Sequence, residues 1–174
     1  MMDPVDEVLN QPAMRAYIHR LVGDEGLSLL EKFPKEGEFS DEQLAASTGI
    51  NLNSVRHTLY TLYEKRLAEY HRIKNNETGW LTYLWQLRID NIYNAVREDM
   101  VLVRDKLERR AQYEEENDFY ICKECHVLFT FPQAMDGDFR CPNCDQALSH
   151  FDNDTLLKAL RHRIETLNKS LGHA

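Results

Sequence analysis

A chain of 174 residues, 43% of them hydrophobic, has material for one ordinary core or for two small ones joined by a connector. Its 21 Lys and Arg against 29 Asp and Glu leave a formal charge of −8, which works against tight nonspecific binding to DNA. No apolar run reaches the roughly 18 residues of a membrane span, and the acidic start MMDPVDEVLN is unlike a secretory signal, so a cytoplasmic location is expected. Thiols stay reduced there, and four cysteines in two close pairs then read as metal ligands rather than disulfides.

From Ala13 the run AMRAYIHRLVGDEGLSLLEKF sets Met14, Tyr17, Ile18, Leu21 and Val22 at helical spacing, broken at Gly23. A second apolar turn, Leu27 to Phe33, ends at Pro34. Ser40 begins FSDEQLAA with Gln43 three residues on, the pattern of a capping box, and Thr48-Gly-Ile-Asn51 supplies a turn. Beyond it Leu52, Val55, Leu59, Leu62 and Tyr63 make the stripe of a longer helix capped by Asn51 or Asn53. Arg56, His57, Lys65 and Arg66 lie off that stripe.

Helix, Gly-containing turn and helix form a helix-turn-helix. LAEYHRI and WLTYLWQL read as two strands with KNNETG turning between them, which extends it to a winged helix-turn-helix. Tyr60, Tyr63, Tyr70, Trp80, Tyr83 and Trp85 either complete a small core or are in part exposed for a protein interface. Strand alternation sets Trp80 and Leu84 on one side and Leu81, Tyr83 and Trp85 on the other, so both sides cannot be buried in so small a unit. Residues 1–86 carry nine basic and thirteen acidic side chains, a poor balance for reading a duplex unaided. Arg56, Arg72 and Lys74, with Lys65 and Arg66, are the cations available for phosphates; the alternative is a solvated face.

Leu87 to about Glu116 contains no Gly or Pro, and Ile89, Ile92, Val96, Met100, Val103 and Leu107 recur in three- and four-residue steps. One helix of about 25 to 30 residues, about 40 Å long, is expected, either folded on its own unit or paired with a partner. Glu114 to Asp118 close it as an acidic boundary.

Cys122-Lys-Glu-Cys125 and Cys141-Pro-Asn-Cys144, with fifteen residues between them, are the most specific pattern in the chain. Each CxxC makes a knuckle whose thiolates take adjacent corners of a tetrahedron. Four soft anionic sulfurs suit one structural Zn²⁺ and leave no open position for a substrate water; iron in a rubredoxin-like site is the competitor. Tyr120, Ile121, Leu128, Phe129, Phe131 and Phe139 read as short strands of a zinc ribbon, and His126 and His150 as ordinary histidines. A zinc deaminase needs His-x-Glu and Pro-Cys-x-x-Cys, and neither is present. Without a Gly-rich phosphate loop, nucleophile elbow or HExxH, no catalytic residue, cofactor-binding residue or small-molecule substrate is expected, and the chain reads as a non-enzyme. Last, Asp152 to Asp154 can cap a helix with the stripe Leu156, Leu160, Ile164, Leu167 and Leu171, which packs on the ribbon or connector or docks on a partner.

The fold class is thus mainly α with small β elements: a winged helix-turn-helix over 1–88, a connecting helix over 89–118, a zinc ribbon over 119–151 and a final amphipathic helix over 152–174. That order, together with the run Glu77-Thr-Gly-Trp-Leu-Thr-Tyr-Leu-Trp85 and the ribbon spacing, resembles the archaeal transcription factor E family, counterparts of the α subunit of eukaryotic general transcription factor IIE. The resemblance implies a basal initiation factor that binds the clamp and stalk region of RNA polymerase. It would work beside the TATA-binding protein and the second archaeal initiation factor, face the upstream non-template strand of promoter DNA and favour DNA opening. Carried onto this chain, it makes Trp80, Tyr83 and Trp85 contact candidates and the four cysteines zinc ligands, with a nucleoid-associated location and no membrane partner. The alternative is a sequence-specific winged-helix regulator with a structural ribbon.

Overall fold

The computed structural model describes residues 4–74 and 79–172. They form two compact units, Met1–Arg97 and Glu98–Ala174, each predominantly helical with one small antiparallel sheet. Among the described residues no helix is long and apolar enough to cross a membrane.

The first unit opens with α1 (Pro4–Leu9), which the sequence reading passes over as an acidic start; it anchors itself by burying Val8 and Leu9. Next, α2 (Pro12–Lys32) absorbs the break at Gly23, where φ 69° and ψ −169° interrupt the helix without ending it. A residue with a Cβ is strained in that region, so glycine is what lets one apolar run turn into the next. Gly26 is fixed by space instead: a Cβ there would sit 3.1 Å from Thr58 Oγ1 and 2.4 Å from Val22 Cβ.

After β1 (Phe39–Ser40) comes α3 (Asp41–Thr48), started by the expected box: Ser40 Oγ accepts from the Gln43 N–H at 3.2 Å and Gln43 Oε1 from the Ser40 N–H at 2.8 Å. Asn51 Oδ1 accepts from the Asn53 N–H at the head of α4 (Leu52–Glu64). β2 (Ala68–Lys74) and β3 (Leu81–Leu87) pair antiparallel, and β1 lies on the far side of β3, giving the order β1-β3-β2. β1 is a two-residue strand held only by its partners Trp85 and Leu84. The turn expected at 75–78 lies outside the described residues. Ile18, Leu29, Leu30, Leu44, Val55, Leu59, Leu62, Leu67, Trp85 and Ile92 are essentially fully buried and make the core, each contributing about 1.5 to 3 kcal/mol of transfer free energy.

A 3₁₀ turn at Ile89–Asn91 separates β3 from α5 (Ile92–Glu116), so the connecting helix starts later than Leu87, which belongs to the sheet. Its 25 residues span about 38 Å. In the second unit β4 (Phe119–Ile121) is flanked by β5 (Leu128–Thr130) and β6 (Ser149–Phe151). The expected strand positions of Phe131 and Phe139 are corrected. Phe131 begins α6 (Phe131–Asp136), because the Thr130 N–H donates to Gln133 Oε1 at 2.9 Å and Pro132 sits in the first turn, where its missing N–H costs nothing. Phe139 has φ 57° and belongs to no strand.

The final helix, α7 (Asp154–Leu171), docks on the end of α5. Asn153 Nδ2 donates to the Glu114 backbone oxygen at 2.9 Å and to Glu114 Oε2 at 2.7 Å, and Arg161 pairs with Glu115. Glu114 is buried, and Arg110 one turn earlier supplies its counter-charge. Leu167 and Leu171 of the expected stripe are buried, whereas Leu156 remains exposed.

Candidate metal centre and exposed aromatic face

Two backbone knuckles of the same design carry the four thiols. In one, the His126 N–H donates to the Cys122 oxygen at 2.8 Å and the Cys122 N–H to the Val127 oxygen at 3.0 Å. In the other, Asp145 donates to Cys141 at 2.8 Å and Cys141 to Gln146 at 2.8 Å. Tightening the chain this far forces the residue after each second cysteine into the left-handed region, His126 at φ 55° and Asp145 at φ 58°. The first thiol of each pair is buried and the second half-buried.

The four Sγ atoms lie within 4.8 Å of one another, with Cys122 and Cys144 at 3.4 Å. A tetrahedron with metal–sulfur bonds of about 2.3 Å has sulfurs about 3.8 Å apart, so the donor set fits one ion. Thiol electrostatics agree. The Cys125 N–H bonds Cys122 Sγ and, with its neighbours, holds that thiol down at about 7, while the side-chain bond to Cys144, then burial, push Cys125 up to about 12. Cys122 forms its thiolate readily while Cys125 and Cys144 resist, until a cation among the sulfurs offsets the mutual repulsion. His126 and His150 lie outside this four-sulfur cluster, and the His150 ring packs edge-on against Tyr120.

In the first unit the contact candidates separate. Trp80 is 77% exposed, beside Leu81 at 51% and Ile73 at 48%. Trp85 is 1% exposed, which corrects its assignment as a surface contact: β1 and α4 cover it, and the rings of Tyr60, Tyr63 and Tyr70 pack on it with centroids 5.2, 6.4 and 4.9 Å away. Tyr83 is half-buried against Tyr70. Arg72 and Lys74 are exposed, but the Arg56 guanidinium is paired with Asp41 and, at 2.9 Å, with Glu42. These partners raise the Arg56 pKa, the hydrogen bond to Asp41 most of all. Tyr60 and Tyr63, read in the sequence as core or interface, stand at the surface, 46% and 45% exposed. Their three-residue spacing on the flank of Leu59 and Leu62 is the signal that could have set them apart.

The model of the TFIIE alpha subunit family matches residues 12–116. Transcription factor E of Methanoregula boonei is 78% identical over 173 residues, covering 99% of this chain and 100% of its own. The proteins of the same name from Methanospirillum hungatei JF-1 and Methanocorpusculum labreanum are 54% and 43% identical, each covering 97% of this chain, and 97% and 98% of their own. Such matches define a transcription factor with a role in initiation. More narrowly, the chain belongs to the TFIIE alpha family, whose archaeal members are transcription factor E, as the wing and ribbon motifs implied.

Proposed function

We propose that this chain is a basal initiation factor that binds RNA polymerase at its clamp and stalk region and works beside the TATA-binding protein. It meets upstream promoter DNA on the non-template strand and stabilises the open complex. Residues 1–88 serve as a winged helix-turn-helix, 89–118 as a helical connector, 119–151 as a ribbon and 152–174 as an amphipathic docking helix. Cys122, Cys125, Cys141 and Cys144 hold one structural Zn²⁺, which supplies a closed four-sulfur cross-link and with it much of the ribbon's folding free energy.

The observation that carries the reading is a division of labour on the first unit. The cation on α4 that a duplex would meet is neutralised by Asp41 and Glu42, while an apolar patch led by Trp80 stands exposed at the end of the strand pair. Such a surface favours a protein partner over unaided duplex reading. A factor of this kind acts by differential affinity, binding the polymerase with opened DNA more tightly than the closed form and shifting that equilibrium by the difference.

The test is promoter opening by purified polymerase on a weak promoter, with and without the protein. Stimulation is expected, and Trp80→Ala and Tyr83→Ala should weaken polymerase binding with the unit still folded. No stimulation at any salt or temperature, or nanomolar sequence-specific binding of a duplex by the protein alone, would overturn the reading in favour of a sequence-specific regulator.

A further inference from the structure

The positive charge of this acidic chain gathers at one end. Residues 155–174 carry four basic side chains and one acidic, whereas the other 154 residues carry 17 and 28. Within α7 these residues are sorted by face. At about 100° per residue, Leu157, Leu160, Ile164, Leu167 and Leu171 fall on one side, buried or half-buried. Arg161 stands on the flank of that side and is held by Glu115 of α5. Lys158, His162, Arg163 and Lys169 fall on the outward side, and all four are exposed. Among the described residues Lys158 and Arg163 have no ion pair. Lys169 pairs with Glu165 at 2.7 Å, one turn away and with both side chains mostly in solvent. A screened pair of that kind contributes little and yields to a stronger anion. Glu165 is the only carboxylate of α7 beyond its first turn, and the hydrogen bond from Lys169 holds its pKa below the ordinary carboxylate value.

We propose that the outward face of α7 is a phosphate-binding strip for the backbone of duplex DNA, on which Lys158, Arg163 and Lys169 contact phosphates and no base is read. The inference deepens the initiation reading above, which brings the chain to promoter DNA, and adds a contact on the second unit. Along the helix axis the three cations stand about 7.5 and about 9 Å apart, a span over which a duplex presents about ten negative charges. What the face lacks decides the occupant. A single strand needs aromatic side chains on which its bases stack, and from Lys158 to Lys169 the outward side offers Ala159, His162 and Thr166 but no Phe, Tyr or Trp. A docked protein segment needs a desolvated apolar anchor, and Leu156, the exposed large apolar side chain of α7, precedes the first cation. Phosphates require only charge and hydroxyl groups, and Thr155 and Thr166 supply the latter on the same exposed side. The formal charge of −8 on the whole chain keeps such a contact weak, on the order of 1 to 100 µM near physiological salt. The strip therefore adds grip once polymerase has brought the chain to DNA.

The experiment is fluorescence anisotropy of a labelled duplex of two helical turns with the zinc-loaded full-length protein, at salt concentrations from about 50 to about 200 mM. Weak binding, equal for unrelated sequences and falling steeply with salt, is expected. The triple variant Lys158→Gln, Arg163→Gln, Lys169→Gln keeps helix propensity. It should lower the slope of log affinity against log salt by about 0.9 for each cation removed, and weaken binding on the order of tenfold per cation at about 50 mM. Lys158→Arg with Lys169→Arg, which keeps the charge, should bind as the unaltered chain does. Circular dichroism and the retained zinc confirm that each variant is folded. No measurable duplex binding at about 50 mM salt, an unchanged slope in the triple variant, equal losses in the Arg variant, or oligo(dT) bound as tightly as duplex would overturn the strip. So would a triple variant that loses polymerase and keeps its duplex slope, because the face would then dock an acidic protein surface. If promoter opening is stimulated and the slope does not change, the strip alone falls. If the slope changes as expected and opening is never stimulated, the initiation reading falls and the strip stands.

Discussion

The two units are held together by different physics. The N-terminal unit has a continuous apolar core from Ile18 through Leu59 to Trp85 and Ile92, built of large side chains at or near complete burial. Around its sheet, among the described residues, the second unit buries Phe119, Ala134, Cys122 and Cys141, and two of those are thiols. Where apolar area is scarce, a metal cross-link can substitute for it. One chain thus contains a unit built on many buried apolar side chains and another whose few buried side chains include two of the four cysteines that could hold a metal ion.

Removing the metal is the sharpest way to test that contrast. A strong chelator, or Cys141→Ser, should unfold residues 119–151 while the first unit keeps its own thermal transition, followed by circular dichroism and calorimetry. Acid acts in the same direction, since protons compete with the metal for thiolates. A single joint transition in both conditions would erase the distinction. Next in size is Trp85→Ala, which leaves a cavity under the tyrosine rings and should cost about 3 to 5 kcal/mol in the first unit alone, read by denaturant titration. Smaller again is Ser40→Ala, which removes half of the capping box and should cost about 1 kcal/mol. The smallest expected effect has the opposite sign. His126→Gly puts glycine where φ is 55°, and relief of left-handed strain should leave the ribbon unchanged or up to about 1 kcal/mol more stable. A marked loss there would mean that the imidazole itself supports the knuckle.

Local chemistry was legible where it is self-contained. Ser40 with Gln43, the break at Gly23, the stripe of α4 and the two CxxC knuckles each announce themselves within a few residues and take the expected form, except that Tyr63 of the stripe stands at the surface. Elements that exist through distant partners did not announce themselves. β1 is two residues long and owes its strand geometry to Trp85 and Leu84, more than forty positions later in the sequence. α1 is short, and its Val8 and Leu9 gain meaning only from the core they join. Phe131 follows aromatic strand residues and reads as one of them, although Thr130, Pro132 and Gln133 spell a helix start. For the candidate contacts, alternation correctly required that some aromatics be exposed, but it could not rank Trp80 above Trp85. That ranking comes from β1 and α4 closing over one end of the strand pair and leaving the other open.

The clasp between Asn153 and Glu114 makes the last helix less detachable than a C-terminal amphipathic segment suggests. Cutting the chain before Asn153 would strip a buried carboxylate of an amide donor and leave its charge to Arg110. A truncation designed to ask what α7 recognises would therefore also report on damage at the base of the ribbon unit. Point changes on its outward side, Leu156 first, separate those two questions.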